Sequence, residues 1–394
     1  MRQLLNVGIR VCVCTALLCS AAWSRPPAPV EAHSETGTLH GAPWRIDLPA
    51  VWNGELVMLA HGFEPVGTPR PQPWPGNKDS EALVQAGYAV AQSGYASQGW
   101  AVAEAIDDTE RLRRYFVENH PDTQRTWILG FSMGGAVAIA TLERLPQHYA
   151  GGVAMCGANL PGDVLADEML TSLLAFQYFF PDAAGLPVGG LAAPEVATRP
   201  QSDLYQSISA AVQTQPATAA MLAKRLELQT DELAGTISLH TLVFHELVKR
   251  SGGLPVGNLD TVYSGFGDDA AFNAGVARVA ADPAAQRRLR HDLGLTGALR
   301  RPLLLQFNHR DPSVTPRFEP VYPALAAKAG ARPAPRKLPA TGEGHCAFTA
   351  QEVVEAVSMQ SREAANDVTP EEFPPVDSSA GARPARSPPA PGRP

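Results

Sequence analysis

Residues 125–145 have the sequence RTWILGFSMGGAVAIATLERL. Arg125–Phe131 is an apolar run typical of a buried β-strand, and Gly134–Leu145 has the pattern of a helix. Between them lies Gly130-Phe131-Ser132-Met133-Gly134, a G-x-S-x-G motif. A side chain at position 130 or 134 would collide with the tight turn that this motif forms. The stretch therefore predicts that Ser132 is a nucleophile at the end of a strand, beside a helix N-terminus that favours negative charge.

Strand-like and helix-like segments alternate on both sides of this motif. Apolar runs predict strands at these positions: a pair around Thr38–Ile46, then Glu55–Ala60, Tyr88–Ser93, Gly152–Cys156, Pro302–Phe307 and Arg336–Leu338. Helices are predicted at Asp79–Ala86, Glu104–Asn119, Tyr322–Ala329 and from Thr349 onward. The alternation predicts an α/β fold, in which helices cover a doubly wound, mostly parallel sheet.

The alternation stops between residues 159 and 299, where the sequence is mostly helical and rich in Ala and Leu. A segment of roughly 140 residues is too long for an ordinary loop and must carry its own structure. We therefore expect a helical cap domain (159–299) inserted between two parts of a sheet domain (37–158 and 300–369). Its aromatic side chains either line a substrate pocket or pack the core of the cap. They are Phe176, Tyr178, Phe179 and Phe180, with Tyr263 and Phe266 as candidates for a mobile rim.

The first 24 residues have the pattern of a secretory signal peptide. A basic start carries Arg2 and Arg10, and the apolar run Val11–Trp23 follows it. Small side chains precede the expected cleavage position after Ser24. The sequence thus predicts an exported protein, located in the periplasm or outside the cell.

Alternatives at this end are cleavage after Ala22, an uncleaved anchor, and a lipoprotein attached through Cys19. The apolar run is short for a membrane span, and the bulky Leu18 before Cys19 does not suit lipid attachment. Residues 25–36 form a Pro-rich lead-in and residues 370–394 a Pro-rich tail. Neither can bury much apolar surface, so we expect a flexible lead-in and a disordered tail.

Composition excludes several classes of function. The 394 residues carry a net charge of −7, and no block of Lys or Arg stands out, which argues against a nucleic-acid partner. Beyond the first 24 residues no apolar run is long enough to span a membrane. Of five cysteines, Cys156 and Cys346 remain after export, too few for a metal site. We find no phosphate-binding glycine loop, so no cofactor is expected, and the sequence does not indicate an oligomeric state.

Over residues 37–158 and 300–362 this arrangement resembles the α/β-hydrolases. In that family an acid and then a histidine follow the nucleophile along the chain. The resemblance implies that Asp311 is the acid, since NHRDPSVTP (308–316) is similar to the family's G-x-x-D-x-x-V-x-P loop. Asn308 replaces the usual glycine, which Asn accommodates because it tolerates left-handed backbone angles. The alternative is an Asp-Pro turn without chemistry; Asp268 and Asp269 in the inserted segment lack a preceding buried strand.

The resemblance also implies that His345, in the sequence TGEGHCAF, is the general base. It lies after the last short strand and before the closing helix, where the family places its histidine. Its main rival, His309, precedes Asp311 and fits a role in the loop scaffold instead. His240 and His245 are five residues apart on a predicted helix and are expected to be packing or surface residues.

Two backbone amides are expected to form the oxyanion hole. The amide of Met133 follows the nucleophile directly. The amide of Phe63 belongs to His61-Gly62-Phe63, which follows a predicted buried strand and resembles the family's His-Gly motif. A simple turn is the alternative for this second segment.

Cys156 and Cys346 flank these motifs at one edge of the predicted sheet. In an oxidising compartment they either form one disulfide or remain two separate buried thiols. Secreted feruloyl esterases and tannases join their serine and histidine loops through cysteines next to both residues. Here Phe131 precedes the nucleophile, so the sequence departs from that pattern.

The resemblance implies a Ser132–Asp311–His345 triad that performs acyl transfer through an acyl-enzyme. We expect a secreted carboxylic ester hydrolase acting on a small-molecule or polymeric ester. A peptidase or aminopeptidase and an acyltransferase are the alternative enzymes on this fold. A binding protein that has lost its chemistry is the alternative from a different class, but it would more often lack a triad member.

Overall fold

The computed structural model describes residues 31–366. The predicted signal peptide (1–24), the first half of the predicted lead-in (25–36) and the predicted tail (370–394) lie outside this range.

Within these residues eight strands form one sheet in the order β1-β2-β4-β3-β5-β6-β7-β8. They are β1 (His33–Leu39), β2 (Ala42–Leu48), β3 (Glu55–Ala60), β4 (Ala89–Ser93), β5 (Arg125–Phe131), β6 (Gly151–Met155), β7 (Leu303–Gln306) and β8 (Arg336–Lys337). β2 is antiparallel to both β1 and β4, and every other neighbouring pair is parallel. The predicted fold class, a mostly parallel sheet flanked by helices, is confirmed.

The α-helices are listed here in chain order. They are α1 (Lys78–Gln85), α2 (Val102–Asn119), α3 (Met133–Arg144), α4 (Gly162–Phe179), α5 (Gln201–Thr214), α6 (Pro216–Leu226), α7 (Leu233–Ser251), α8 (Asp269–Gly275), α9 (Pro283–Leu293), α10 (Val321–Ala329) and α11 (Ala350–Asn366). Helices α4 to α9 all lie between β6 and β7, in the segment that the sequence predicts to be helical.

Successive side chains of the central strands enter two separate cores, because they point to opposite faces of the sheet. In β3, Leu56 and Met58 belong to the core that also holds the buried faces of α2 and α3. Val57 and Leu59 belong to the core beneath α1 and α11. Both faces are covered, so these strands are apolar along their whole length rather than alternating.

The first strand begins earlier than the sequence predicts. β1 starts at His33, inside the lead-in that is predicted to be flexible over residues 25–36. Its backbone pairs with β2 from His33 opposite Leu48 to Leu39 opposite Ala42. Most of its side chains are exposed, so backbone pairing rather than apolar burial holds this edge strand in place. The lead-in prediction was therefore too long.

The aromatic residues of the inserted segment pack against one another. The rings of Phe179 and Phe266 both stack on Phe272, at centroid distances of 5.6 Å and 4.1 Å. Tyr178 and Tyr263 meet the same ring edge-on. Tyr263 and Phe266 are buried, so they do not form the rim that was considered from the sequence. Within residues 31–366 no helix has the length and apolar character to cross a membrane.

Candidate active site

Four loops that carry the predicted site residues meet at one edge of the sheet. Ser132 follows β5, the segment His61-Gly62-Phe63 follows β3, Asp311 lies beyond β7, and His345 lies beyond β8. These strands are parallel, so their carboxyl ends and the loops after them share an edge. Ligands of open α/β sheets bind at this edge.

The turn at Ser132 has the strained geometry that its glycines predict. Ser132 has a φ of 56° and a ψ of −122°, which L-residues rarely adopt. A Cβ atom at Gly130 would lie 1.9 Å from the carbonyl oxygen of Gly134, and one at Gly134 would lie 2.0 Å from that of Ala60. Both positions therefore require glycine. The turn starts α3 directly after the serine.

Ser132, His345 and Asp311 form a continuous hydrogen-bonded chain. The distance from Ser132 Oγ to His345 Nε2 is 2.8 Å. His345 Nδ1 lies 2.8 Å from Oδ2 and 3.0 Å from Oδ1 of Asp311. A carboxylate only accepts hydrogen bonds, so it selects the tautomer with the proton on Nδ1, and Nε2 is left to accept the serine proton.

The carboxylate of Asp311 is held by its own loop. It is buried, with 5% of the residue exposed. Its Oδ1 accepts hydrogen bonds from the backbone amides of Ser313 (2.8 Å) and Val314 (2.9 Å). These bonds fix the direction in which the carboxylate faces His345. Ser313 and Val314 thus help to position the Asp311 carboxylate through their backbone amides.

The side chain of Asn308 joins the acid loop to the histidine loop. Its Nδ2 donates to the carbonyl oxygen of Thr341 (2.7 Å), and its Oδ1 accepts from the amide of Ala347 (3.3 Å). Asn308 is not among the described residues with positive φ, so left-handed backbone does not explain why asparagine occupies this position. His309 is exposed and donates its backbone amide to Gly342 O (3.0 Å), a contact within the same scaffold.

Cys156 and Cys346 are joined by a disulfide of 2.00 Å, which decides between the two alternatives that the sequence leaves open. Cys156 directly follows β6, the neighbour of the strand that carries Ser132. Cys346 directly follows His345. The bond therefore ties the loop that carries His345 to the sheet beside the strand that precedes Ser132.

The two amides predicted for the oxyanion hole belong to segments that adjoin Ser132. Met133 is the first residue of α3, where a backbone N–H has no partner within the helix. A Cβ atom at Gly62 would lie 3.1 Å from Ser132 Cβ and 3.6 Å from Ser132 Oγ. Glycine at this position lets the backbone before Phe63 approach Ser132 closely.

A family profile described as the α/β-hydrolase fold matches residues 74–208. The chain has the α/β-hydrolase fold. The match begins before the strand that carries the nucleophile and ends inside the helical segment, which the resemblance had left unmatched. No curated protein matches the chain in sequence.

Solved structures of hydrolases match the chain at low sequence identity and with TM-scores below 0.5. Est1E from Butyrivibrio proteoclasticus is 11% identical with a TM-score of 0.42, over 85% of this chain and 99% of that one. An esterase from Pyrococcus furiosus is 14% identical with a TM-score of 0.42, over 85% and 90%. An acylaminoacyl peptidase from Pyrococcus horikoshii is 11% identical with a TM-score of 0.43, over 87% of this chain and 43% of that one.

The loop after β3 of this α/β-hydrolase fold is supported by the ring of His61. The ring stacks on Tyr95 at 4.0 Å, and its Nδ1 donates to the carbonyl oxygen of Gly62 (2.9 Å). Burial lowers the pKa of His61 to about 4, so the ring is neutral at ordinary pH. Arg70 donates to Tyr95 O (2.6 Å) and pairs with Glu64 on the same loop. The sequence motif did not reveal this support, because its members are far apart in the chain.

The other histidines considered from the sequence are packing residues. His240 Nδ1 lies 2.8 Å from Ser172 Oγ, and burial lowers the pKa of His240 to about 3. His245 Nε2 donates to the carbonyl oxygen of Leu191 (2.9 Å). Both side chains link α7 to other parts of the helical segment. In the part of the chain from 31 to 366, no three His, Cys, Asp or Glu side chains gather in a way that would hold a metal ion.

Two cavities of very different size lie near these loops. The small cavity has about 40 Å³ of space; the residues lining it include Phe63, Ala158 and Val314. The large cavity has about 940 Å³ and is lined mainly by apolar residues, among them Phe63 and Leu242. None of the aromatic residues 176, 178, 179 and 180 is among the lining residues of either cavity.

Proposed function

We propose that this protein is a serine hydrolase that cleaves carboxylic esters through an acyl-enzyme. The observation that supports this most strongly is the hydrogen-bonded chain from Ser132 Oγ through His345 to the Asp311 carboxylate. This arrangement activates a hydroxyl that is otherwise too weakly acidic to attack a carbonyl carbon. The mainly apolar lining of both cavities, which in the large one also includes Arg199, Glu246 and Lys249, supports an ester with a predominantly apolar body.

Acylation is the first half of the proposed reaction. Ser132 Oγ attacks the carbonyl carbon of the ester while its proton moves to His345 Nε2. The carbonyl oxygen becomes an oxyanion that accepts hydrogen bonds from the amides of Met133 and Phe63. As the intermediate collapses, the ester C–O bond breaks and His345 returns the proton to the departing alkoxide. Asp311 stabilises the imidazolium that exists between these two transfers.

Deacylation repeats the same steps with water. His345 Nε2 takes a proton from a water molecule, whose oxygen attacks the acyl carbon bound to Ser132. The second tetrahedral intermediate collapses, the bond to Ser132 Oγ breaks, and the serine regains its proton from His345. The products are a carboxylic acid and the alcohol released earlier.

We also propose that the protein is exported. The pattern of residues 1–24 supports this, as does the disulfide, because such bonds persist in oxidising compartments. The mass of the N-terminal peptide recovered from the periplasm or medium tests this proposal. A chain that starts at Arg25 is expected, and an intact Met1 in the cytoplasmic fraction would contradict it.

The variant Ser132→Ala tests the proposed function. We expect Ser132→Ala to reduce kcat for p-nitrophenyl acetate at least about a thousandfold, because it removes the attacking oxygen and spares the fold. Ser202→Ala is the matched control, since Ser202 lies exposed on α5. Release of p-nitrophenol is followed for both variants and the parent. Equal turnover by Ser132→Ala and the parent would exclude Ser132 as the nucleophile, and turnover of aminoacyl amides alone would favour a peptidase.

A further inference from the structure

Phe63 lines both cavities of the proposed site. Its backbone directly follows Gly62, which approaches Ser132 closely. An ester has two arms that leave the reacting carbonyl in different directions. A residue that borders two cavities beside the nucleophile is placed to separate these arms.

Helix α7 completes the partition between the cavities. Leu239, His240 and Val243 contribute to the wall of the small cavity. Leu242 and Glu246 contribute to the wall of the large one. Residues 239, 240 and 243 share one side of a helix, and residues 242 and 246 share an adjacent side. The same helix therefore forms a wall of each cavity.

The small cavity is walled mainly by buried side chains and adjoins the loops that carry Ser132 and Asp311. Its wall includes Ser313 and Val314, whose amides bind Asp311, and Ala158, whose amide donates to Ser132 O (3.0 Å). Most of its lining side chains are buried and apolar. A position for one water-sized group needs about 10–15 Å³, so about 40 Å³ holds about three heavy atoms.

The large cavity is open to solvent. Several of its lining residues are exposed, including Pro65, Val66 and Ala197, and its size of about 940 Å³ is that of a site for a whole small molecule. In the proposed reaction the alcohol must leave before water enters, whereas the acyl group stays bonded to Ser132. The small cavity with its mainly buried walls therefore suits the acyl arm, and the large cavity with its exposed rim suits the alcohol arm.

We propose that the substrates are esters of a short acyl group, of about two to four carbons, with a bulky apolar alcohol. The acyl arm occupies the small cavity and the alcohol arm occupies the large one. This inference depends on the proposed function and names the substrate class of the same site.

Four esters of primary alcohols test the inference: 2-naphthylmethyl acetate, 2-naphthylmethyl octanoate, ethyl acetate and ethyl octanoate. Acid release in a pH-stat measures kcat/KM for each of them on the same scale. We expect 2-naphthylmethyl acetate to exceed each of the other three by about tenfold or more, since one methylene in an apolar pocket already changes rates about 10- to 200-fold. Equal or faster hydrolysis of either octanoate would overturn the inference.

Two variants assign the arms to the cavities. Ala192→Trp places a large ring in the large cavity and is expected to reduce the preference for the naphthylmethyl over the ethyl ester about tenfold. Val188→Trp is its control on the same segment, because Val188 is 99% exposed and lies outside the cavity lining. Val243→Ala enlarges the small cavity and is expected to raise the octanoate-to-acetate ratio severalfold. Unchanged ratios in Ala192→Trp and Val243→Ala would overturn the assignment.

The outcomes separate this inference from the proposed function. Hydrolysis that Ser132→Ala abolishes, but that does not depend on the size of either arm, would overturn the substrate class and leave the serine hydrolase in place. Absence of Ser132-dependent hydrolysis for all four esters would contradict both.

Discussion

The side chain of Asn308 contacts the histidine loop on both sides of His345, at Thr341 O and at the amide of Ala347. It is almost fully buried, so no water can replace these bonds. The sequence interpretation treated Asn308 as a substitute for glycine. Its actual partners lie 33 and 39 residues away, and no local pattern indicates contacts over such a separation.

Asn308→Ala is expected to reduce kcat about 10- to 100-fold with little change in KM. The reason is that His345 loses its fixed distance to Ser132, and a displacement of about 1 Å at a reacting group costs about that much. Kinetics with p-nitrophenyl acetate measure the effect, and circular dichroism checks the fold. Asn119→Ala at the exposed end of α2 is the control. An unchanged kcat in Asn308→Ala would show that the bridge does not position the histidine.

Burial of His240 makes the stability of the protein dependent on pH. Its pKa is about 3 in the folded protein and about 6.5 in an unfolded chain. Between these values the unfolded state binds the proton and the folded state does not, so the free energy of unfolding falls as the pH falls. Between pH 7 and pH 5 this one group is expected to remove about 2 kcal/mol.

The variant His240→Asn isolates this contribution, because asparagine does not titrate and its amide can still donate to Ser172. Urea unfolding at pH 7 and pH 5 gives the change in the free energy of unfolding. The change is expected to be smaller in His240→Asn than in the parent by about 2 kcal/mol. His291→Asn is the control, since the His291 side chain is 88% exposed. Equal changes in all three proteins would contradict the assignment.

At the scale of elements, sequence patterns locate the buried strands well. Glu55–Ala60 and Arg125–Phe131 have the predicted bounds, because strands covered on both faces are continuous apolar runs. The sequence does not predict the first residues of β1, because most side chains of this strand are exposed and do not form an apolar run. The segment between β6 and β7 is predicted only as helical, since its helices pack on partners far away in the chain.

The family resemblance names candidates for the site, and local patterns predict the turn that holds Ser132. Gly130 and Gly134 each lie two residues from Ser132, and the turn has no room for a side chain at either position. The motif itself therefore predicts the turn. The supports of the other loops are not visible in this way. The half-buried pair of Arg317 with Glu168 joins the segment after the acid loop to α4 across 149 positions of the chain.

Arg317→Met is expected to lower the free energy of unfolding by about 3 kcal/mol, because it leaves the half-buried Glu168 carboxylate without its partner. Arg336→Met is the matched control. Arg336 pairs with Glu363 on the surface, and about half of each of these side chains is exposed. This control is expected to change the free energy of unfolding by less than about 1 kcal/mol. Urea unfolding compares the two, and similar losses would show that the Arg317 pair is no more important than a surface pair.

At the scale of the whole molecule, the disulfide closes a loop of 190 residues that contains the entire helical segment. Replacing both Cys156 and Cys346 by serine is expected to lower the free energy of unfolding by about 2–5 kcal/mol, because the unfolded chain becomes less restricted. It is also expected to lower kcat, because the histidine loop loses its tie to the sheet. Thermal unfolding and ester kinetics measure the two effects.

Treatment of the parent with a reducing agent provides the control for the double variant. Reduction is expected to reproduce both losses in the parent and to leave the double serine variant unchanged. If reduction changes both proteins equally, the reagent acts elsewhere. If neither reduction nor substitution affects kcat, the disulfide stabilises the chain without positioning His345.

β6 and β7 are hydrogen-bonded neighbours in the sheet, although residues 156–302 separate them in the chain. During synthesis the ribosome therefore completes β6 long before its partner exists. Until β7 emerges, β6 is the free edge of an unfinished sheet, and free edges template aggregation. Pairing over such a separation is also slow, because a long loop must close first. Incomplete chains of this protein are therefore expected to aggregate more readily than the finished chain, in which β7 covers this edge of β6.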